Sequence, residues 1–261
     1  MRVRDITAAI EEFAPLALQE SYDNSGLIVG RYDDEVQSAL IAVDVTEEVI
    51  AEAVAQQCDM IITHHPIIFH PLKRFNSASY VERAVEEAIR RGIVLYACHT
   101  NLDSTKGGLS WRVAQMLGLE NVAVMQKTSQ DDIGFGVVGE LPSAEPSEVF
   151  MRRVMELFGV QSLRHSDMVR SEVRRVAICT GAGGSLIDEA LSSEADIYLT
   201  ADLKYNDFMR HENRIILCDM GHFESEFCAI DILFDILSKK FCNFAARKSV
   251  CSRNPVNYMT K

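Results

Sequence analysis

The sequence predicts an α/β protein made of two pseudo-duplicated lobes with largely parallel or mixed sheets. Three observations carry that expectation. Short, continuously apolar runs alternate with helical patterns, which is how strands buried on both faces of a sheet read. A strand–helix–strand stretch in the first half returns in the second half at a similar spacing. The composition, 48% hydrophobic and 25% charged over 261 residues, is that of a globular chain with enough length to bury a sizeable core.

The elements follow in order. Ile6, Ile10, Phe13 and Leu16 recur at helical spacing, and Pro15 ends or bends that opening helix. Asp23, Asn24 and Gly26 are turn residues that lead into a strand at 27–29. A buried strand is expected at 39–43, with Thr46 capping the helix after it. A second strand covers 60–63, and a helix over 80–91 stops at Gly92. A third strand covers 93–97. The polar run KTSQDD at 127–132 reads as a boundary, dividing the chain into lobes 1–126 and 127–261, with the C-terminal segment packing back on the first. Beyond it come a strand at 133–141, a helix at 147–158 and strands at 176–179, 196–200 and 215–218. A helix from 225 to about 240 and a polar tail complete the chain.

Several function classes are disfavoured. The formal net charge is −12, so nonspecific nucleic-acid binding is not expected. No apolar run approaches the roughly 20 residues of a bilayer span, and acids interrupt the N-terminal apolar stretch, so neither a membrane segment nor a secretory signal is expected. The default compartment is the cytoplasm. Seven scattered cysteines with no C-x-x-C pair do not form a disulfide framework, and Cys58, Cys98, Cys179 and Cys218 read as small core residues.

The chemistry-bearing residues cluster after strands, where open parallel sheets gather ligands. His64 and His65 follow strand 60–63, Asp103 follows strand 93–97, and His222 and Glu226 follow strand 215–218. Each has a plain alternative: paired histidines cap a turn, Asp103 caps a helix, and Glu226 complements a helix start. Together they suit two divalent ions, zinc, iron or manganese, in a nitrogen/oxygen site. His222 and Glu226 lie four apart, so one helical turn presents both on one face. His70 and His99 read as groups behind the ligands or as proton carriers, with His99 the chosen catalytic candidate. Lys73, Arg74 and Lys106 either meet an anionic substrate or are solvated loop charges. TGAGGS at 180–185 lacks the P-loop lysine and reads as a tight strand–helix turn. His165 and His211 read as surface residues.

SYDNSGLIVG, ITHHPIIFHPLKRF, HTNLDSTKGG, DIYLTADLKYNDF and DMGHFESE, with NPVNY near the end, resemble in order the signature segments of the Nif-three-like family. Its members often carry the name GTP cyclohydrolase 1 type 2 homologue. The resemblance implies a dinuclear metal site on His64, His65, Asp103, His222 and Glu226, two intertwined lobes, and a ring-shaped homohexamer. It implies hydrolysis of a small molecule, nominally a nucleotide, or a metal-binding or regulatory scaffold with no catalysis. Where the family pattern reads T-G-D-x-K-Y-H-D, this chain has Ala201 and Asn206 in place of the Gly and the His.

Overall fold

The computed structural model describes residues 1–128 and 132–259. The chain forms two compact units. The first comprises Met1–Thr105 and Ala229–Arg253, and the second comprises Lys106–Cys228 and the segment from Asn254 onward.

The first unit opens with helix α1 (Val3–Phe13), which buries Val3, Ile6, Ala9 and Ile10 on one face and ends before Pro15. Then come β1 (Gly26–Val29), β2 (Ser38–Ala42), α2 (Glu47–Ala55), β3 (Met60–Thr63), α3 (Tyr80–Arg91), β4 (Val94–Ala97) and the short helix α4 (Thr100–Ser104). The caps follow the sequence signals. Thr46 Oγ1 accepts from Val49 N at 3.2 Å, Ser79 Oγ accepts from Glu82 N at 3.2 Å, and Gly92 closes α3 in the left-handed conformation. Strands β2, β3 and β4 run parallel, and β1 joins the edge beside β4 antiparallel. All residues of β2, β3 and β4 are buried, which explains their unbroken apolar character. Leu40, Val49, Ile50, Ile61, Ala84, Ala88 and Leu95 form one cluster between the sheet and α2 and α3. Each large side chain there contributes roughly 1.5–3 kcal/mol of burial.

The second unit runs α5 (Leu109–Met116), β5 (Glu120–Lys127), β6 (Gly134–Pro146), α6 (Ser147–Phe158), β7 (Arg164–His165), β8 (Glu172–Ala182), α7 (Ile187–Ser192), β9 (Ile197–Ala201), β10 (Ile216–Asp219) and α8 (His222–Glu226). Its six strands lie in the order β5-β6-β8-β9-β10-β7. Strands β8, β9 and β10 are parallel, while β5, β6 and β7 pair antiparallel, so this sheet is mixed. From Ala229 the chain returns to the first unit, where α9 (Cys228–Lys240) lies mostly and β11 (Ala245–Lys248) pairs parallel with β2.

The division falls at Thr105/Lys106 rather than at the expected 126/127. The reason is pairing: β5 hydrogen-bonds to β6, and α5 packs on β6 and β8, which ties residues 109–127 to the second sheet. Residues 129–131 of the expected polar boundary lie outside the described residues. Strand β11 is also absent from the sequence reading, because two alanines followed by two basic residues carry no strongly apolar run. The expected helix over 225–240 is two helices, α8 and α9. No helix among the described residues is long and apolar enough to cross a membrane.

The two sheets share a topology. In sheet order, β2-β3-β4-β1 and β8-β9-β10-β7 are both three parallel strands in sequence, followed at one edge by the antiparallel strand that precedes them in the chain.

Candidate metal centre

In the first unit, the histidines lie just beyond the carboxyl ends of β3 and β4. Thr63 Oγ1 donates to His65 O at 2.8 Å, and His65 N donates to Val43 O at 3.0 Å, which fixes the backbone that carries His64 and His65. His64 is fully buried, and its Nδ1 lies 2.9 Å from Cys98 O. A carbonyl oxygen can only accept, so Nδ1 carries the proton and Nε2 presents its lone pair. His65 Nδ1 lies 2.8 Å from Asp44 Oδ1, and His99 Nδ1 lies 2.7 Å from Asp23 Oδ1. The ligating atoms of His64, His65 and His99 lie within 4.8 Å of one another, close enough to hold a metal ion. Asp103 sits on α4, with Oδ1 3.8 Å from His64 Nε2.

Asp23 is the anchor behind His99. Its side chain is fully buried and also accepts from Thr100 Oγ1, from Thr100 N at 3.1 Å and from Ser25 Oγ at 2.9 Å. Burial alone pushes its pKa up. The hydrogen bonds from His99 and Thr100 outweigh that and hold the carboxyl well below the usual range. Cys98, the residue after β4, is fully buried, and desolvation pushes its thiol well above the usual value. Its Sγ accepts from Asn101 Nδ2 at 3.4 Å, a fully buried setting that matches the small core residue expected.

In the second unit, β10 ends at Asp219 and Gly221 turns the chain into α8. His222 Nδ1 lies 2.8 Å from Asp202 Oδ2, and its Nε2 lies 3.0 Å from Glu226 Oε2. Asp202 holds a left-handed backbone (φ 54°), which is uncommon for non-glycine residues but more readily adopted by aspartate than by most. Burial alone pushes the His222 pKa down, but the carboxylates of Glu226 and Asp202 outweigh it and push it up to about 9. Glu226 is almost fully buried. Its carboxylate lies against Gly181, where a Cβ would approach Oε1 to 2.2 Å. Gly181 N in turn donates to Ser225 Oγ at 2.9 Å, so the glycine turn at 180–185 shapes the seat of this carboxylate and is not a phosphate cradle.

The candidate donor set, imidazole nitrogens and carboxylate oxygens, suits a divalent transition metal. All four histidines at these strand ends share one device, an acceptor at Nδ1. That acceptor fixes the tautomer, orients the ring and raises the basicity of Nε2, as behind metal-ligating histidines generally. Asp44, Asp23 and Asp202 in these roles were missed by sequence reasoning, although Asp44 and Asp202 obey the same rule of lying just past a strand. His70 is exposed and packs its ring on Phe69 at 5.2 Å, with no place in the histidine cluster. Lys106 pairs with Asp132 on the surface. His165 is exposed as expected, whereas His211 is largely covered and lies 3.9 Å from Asp167.

Residues 1–255 match the family model DUF34/NIF3 (NGG1p interacting factor 3). Among curated relatives, a Clostridium acetobutylicum protein named GTP cyclohydrolase 1 type 2 homolog is 33% identical over 236 residues, covering 89% of this chain and 88% of its own. A Campylobacter jejuni protein of the same name is 32% identical over 260 residues, covering 99% of this chain and 100% of its own. Among solved structures, a Staphylococcus aureus hypothetical protein superposes with a TM-score of 0.91 at 24% identity, over 99% of both chains. Reduced HcgD from Methanocaldococcus jannaschii superposes with a TM-score of 0.80 at 27% identity, over 95% of this chain and 97% of its own.

Proposed function

We propose, from the premise that this chain belongs to the DUF34/NIF3 family, that it is a dinuclear metal-dependent hydrolase of a small molecule. Its ligands are His64, His65 and Asp103 in the first unit and His222 and Glu226 in the second. The observation that carries this reading is the acceptor behind every strand-end imidazole, at 2.7–2.9 Å in each case. The exposed His165 also has an acceptor at Nδ1, Ser166 O at 2.7 Å, so the reading rests equally on proximity: the ligating atoms of His64, His65 and His99 lie within 4.8 Å of one another. Two bound divalent cations supply Lewis-acid activation of water and neutralise developing negative charge.

The chain's own residues do the rest. Cys98 O, Asp44 and Asp202 orient the ligating rings. Glu226, seated on Gly181, and Asp103 bring negative charge that the imidazoles alone lack. His99 is assigned as the proton carrier: it is backed by the Asp23 carboxylate and partly exposed, so it can exchange protons with solvent or a leaving group. The relatives' name points to GTP ring opening. Other C–N bonds and phosphoesters meet the same chemical demand, an electrophilic centre beside a stabilised oxyanion.

The test is turnover of GTP and a panel of phosphoesters by metal-restored protein, beside a His64→Ala/His65→Ala control, with metal content measured on both. Two ions per chain with turnover lost in the control is the expected result. Two ions per chain with no turnover on any substrate would instead favour a storage or regulatory scaffold. The ring-shaped homohexamer implied by the family resemblance belongs to the same reading, and sedimentation equilibrium tests it.

A further inference from the structure

Within the second unit, the C-terminal segment joins α6 and α8 around a cavity of about 290 Å³. Its wall includes Phe158 and Gly159 at the end of α6, Phe223, Glu224 and Phe227 along α8, and Tyr258. That volume sits at the lower end of what small-molecule sites occupy. Helical spacing sets the α8 side. Phe223 and Phe227 are four apart, and their rings pack at 5.3 Å between centroids. Glu224 is two residues from both His222 and Glu226, which turns it roughly 200° around the helix from each. Its Oε1 accepts from Asn254 Nδ2 at 2.8 Å. Val256 N donates to Asn254 Oδ1 at 2.8 Å, which fixes the amide with its amino group toward the carboxylate.

Two sources of negative potential meet in this wall, and neither is offset. Glu224 Oε2 is buried with no hydrogen-bond partner among the described residues. A carboxylate has about four acceptor sites, and a neutral amide fills one of them here. Helix α6 ends at Phe158 with no basic residue in its last turn. The end of a helix carries partial negative charge on carbonyls that lack intrahelical partners. Among the described residues, no lysine, arginine or histidine lines the cavity.

We infer that this cavity is a binding site for a small organic cation, an ammonium or guanidinium head on an apolar stem. Glu224 and the end of α6 attract the head, whose N–H groups supply the donors that the carboxylate lacks. The rings of Phe223, Phe227 and Tyr258 cover the stem and add cation–π attraction. A divalent metal ion would find one carboxylate among aromatic walls, too few oxygen ligands to hold it. The site is separate from the proposed hydrolytic centre, because none of these residues is a candidate metal ligand.

The test compares phenethylammonium with phenethyl alcohol, which share ring and chain and differ in the charged head. Both are titrated into the full chain as purified, and again with a chelator present, by ligand-observed NMR. The ammonium should bind about tenfold or more tightly in both conditions. Glu224→Gln keeps the side chain's shape and the acceptor for Asn254 but removes the charge, and should bring the ratio below about threefold. Phe227→Leu keeps an apolar side chain at an exposed position without the π-face. It should weaken the ammonium by about threefold and the alcohol by less. A ratio near one in the parent chain, or a ratio in Glu224→Gln equal to the parent's, overturns the site. A ratio that vanishes on chelation places the cation at the metal centre and overturns it as well. So does a change of oligomeric state in either variant, which would make the cavity a subunit contact. Because the expected ratio is the same with and without metal, this site and the hydrolase reading can fail separately.

Discussion

Replacing Gly181 by alanine separates backbone strain from damage to the carboxylate seat. Gly181 sits at φ +66°, a left-handed conformation that costs an L-residue about 1–2 kcal/mol. Its new Cβ would lie 2.2 Å from Glu226 Oε1 and 3.2 Å from Glu226 Cδ. Relief of that contact requires the carboxylate to shift on the order of 1 Å, several times the ~0.2 Å tolerance of a coordination bond. Gly159 provides the control. Its φ is +67°, and an added Cβ meets nothing within 4 Å, so Gly159→Ala carries the strain without the displacement. Both variants should lose about 1–2 kcal/mol of stability, a melting shift of roughly 2–4 °C per kcal/mol in a chain of this size. Only Gly181→Ala should also lose metal affinity, by roughly 10–100-fold, the scale seen when a group supporting a ligand is removed. Chelator competition on both variants, with thermal melts of the chelated proteins, gives the two readouts. Metal affinity in Gly181→Ala equal to that in Gly159→Ala would refute the role assigned to Glu226.

Three further outcomes follow from the same geometry. Asp44→Asn and Asp202→Asn leave side chains of the same shape behind His65 and His222 but allow an amide N–H to face Nδ1. Metal affinity should fall by about 10–100-fold with little change in melting, since both carboxylates are exposed; unchanged affinity in chelator competition would count against the tautomer argument. His99→Gln should keep metal content but slow turnover by about 10²–10⁴-fold, and an undiminished kcat would remove His99 from proton transfer. Glu52 is buried under the C-terminal segment. Desolvation pushes its pKa up, but Ser249 Oγ and the N–H groups of Val250 and Cys251 outweigh this and hold it below 4.5. A folded-state pKa that is lowered contributes stability above the ordinary value and loses it as pH falls through the folded one. Glu52→Gln should therefore cost about 1.5–3 kcal/mol at pH 7, with the gap to the parent chain closing below about pH 4.5 in urea titrations. A gap of equal size at both pH values would show that the carboxylate's charge is irrelevant.

Much of the core was legible in the sequence because burial on both faces forces continuous apolar runs. Strand 60–63 and the helices at 80–91 and 147–158 coincide with the structure for that reason. What was not legible depended on partners distant in sequence. Strand β11 has exposed charged residues and is recognisable only through its pairing with β2, two hundred residues away. Residues 109–127 look like a continuation of the first lobe until β5 is seen to pair with β6. At the candidate site, the donor residues could be chosen by their position after strands. The carboxylates behind them could not, because an aspartate in a turn reads the same whether it caps a loop or orients an imidazole.

The shared topology of the two sheets explains why the donor residues recur, and their differences bear on which histidine is proposed as the proton carrier. Past the third parallel strand, both sheets place a short helix with an acid near its end: Asp103 on α4, and Glu226 on α8. Past the middle strand they diverge. The first unit places His64 and His65 there; the second places Asp202, which serves His222. Ala201, standing where the family pattern has glycine, is fully buried at the end of β9, so its methyl group is accommodated in the packing. Asn206, standing where the pattern has histidine, is exposed and carries no titratable proton. A carboxamide there cannot take part in acid–base chemistry under any arrangement of the loop. His99, already held by a buried carboxylate and adjoining His64 and His65, is the histidine proposed for that role, and on that proposal its replacement should affect turnover more than metal content.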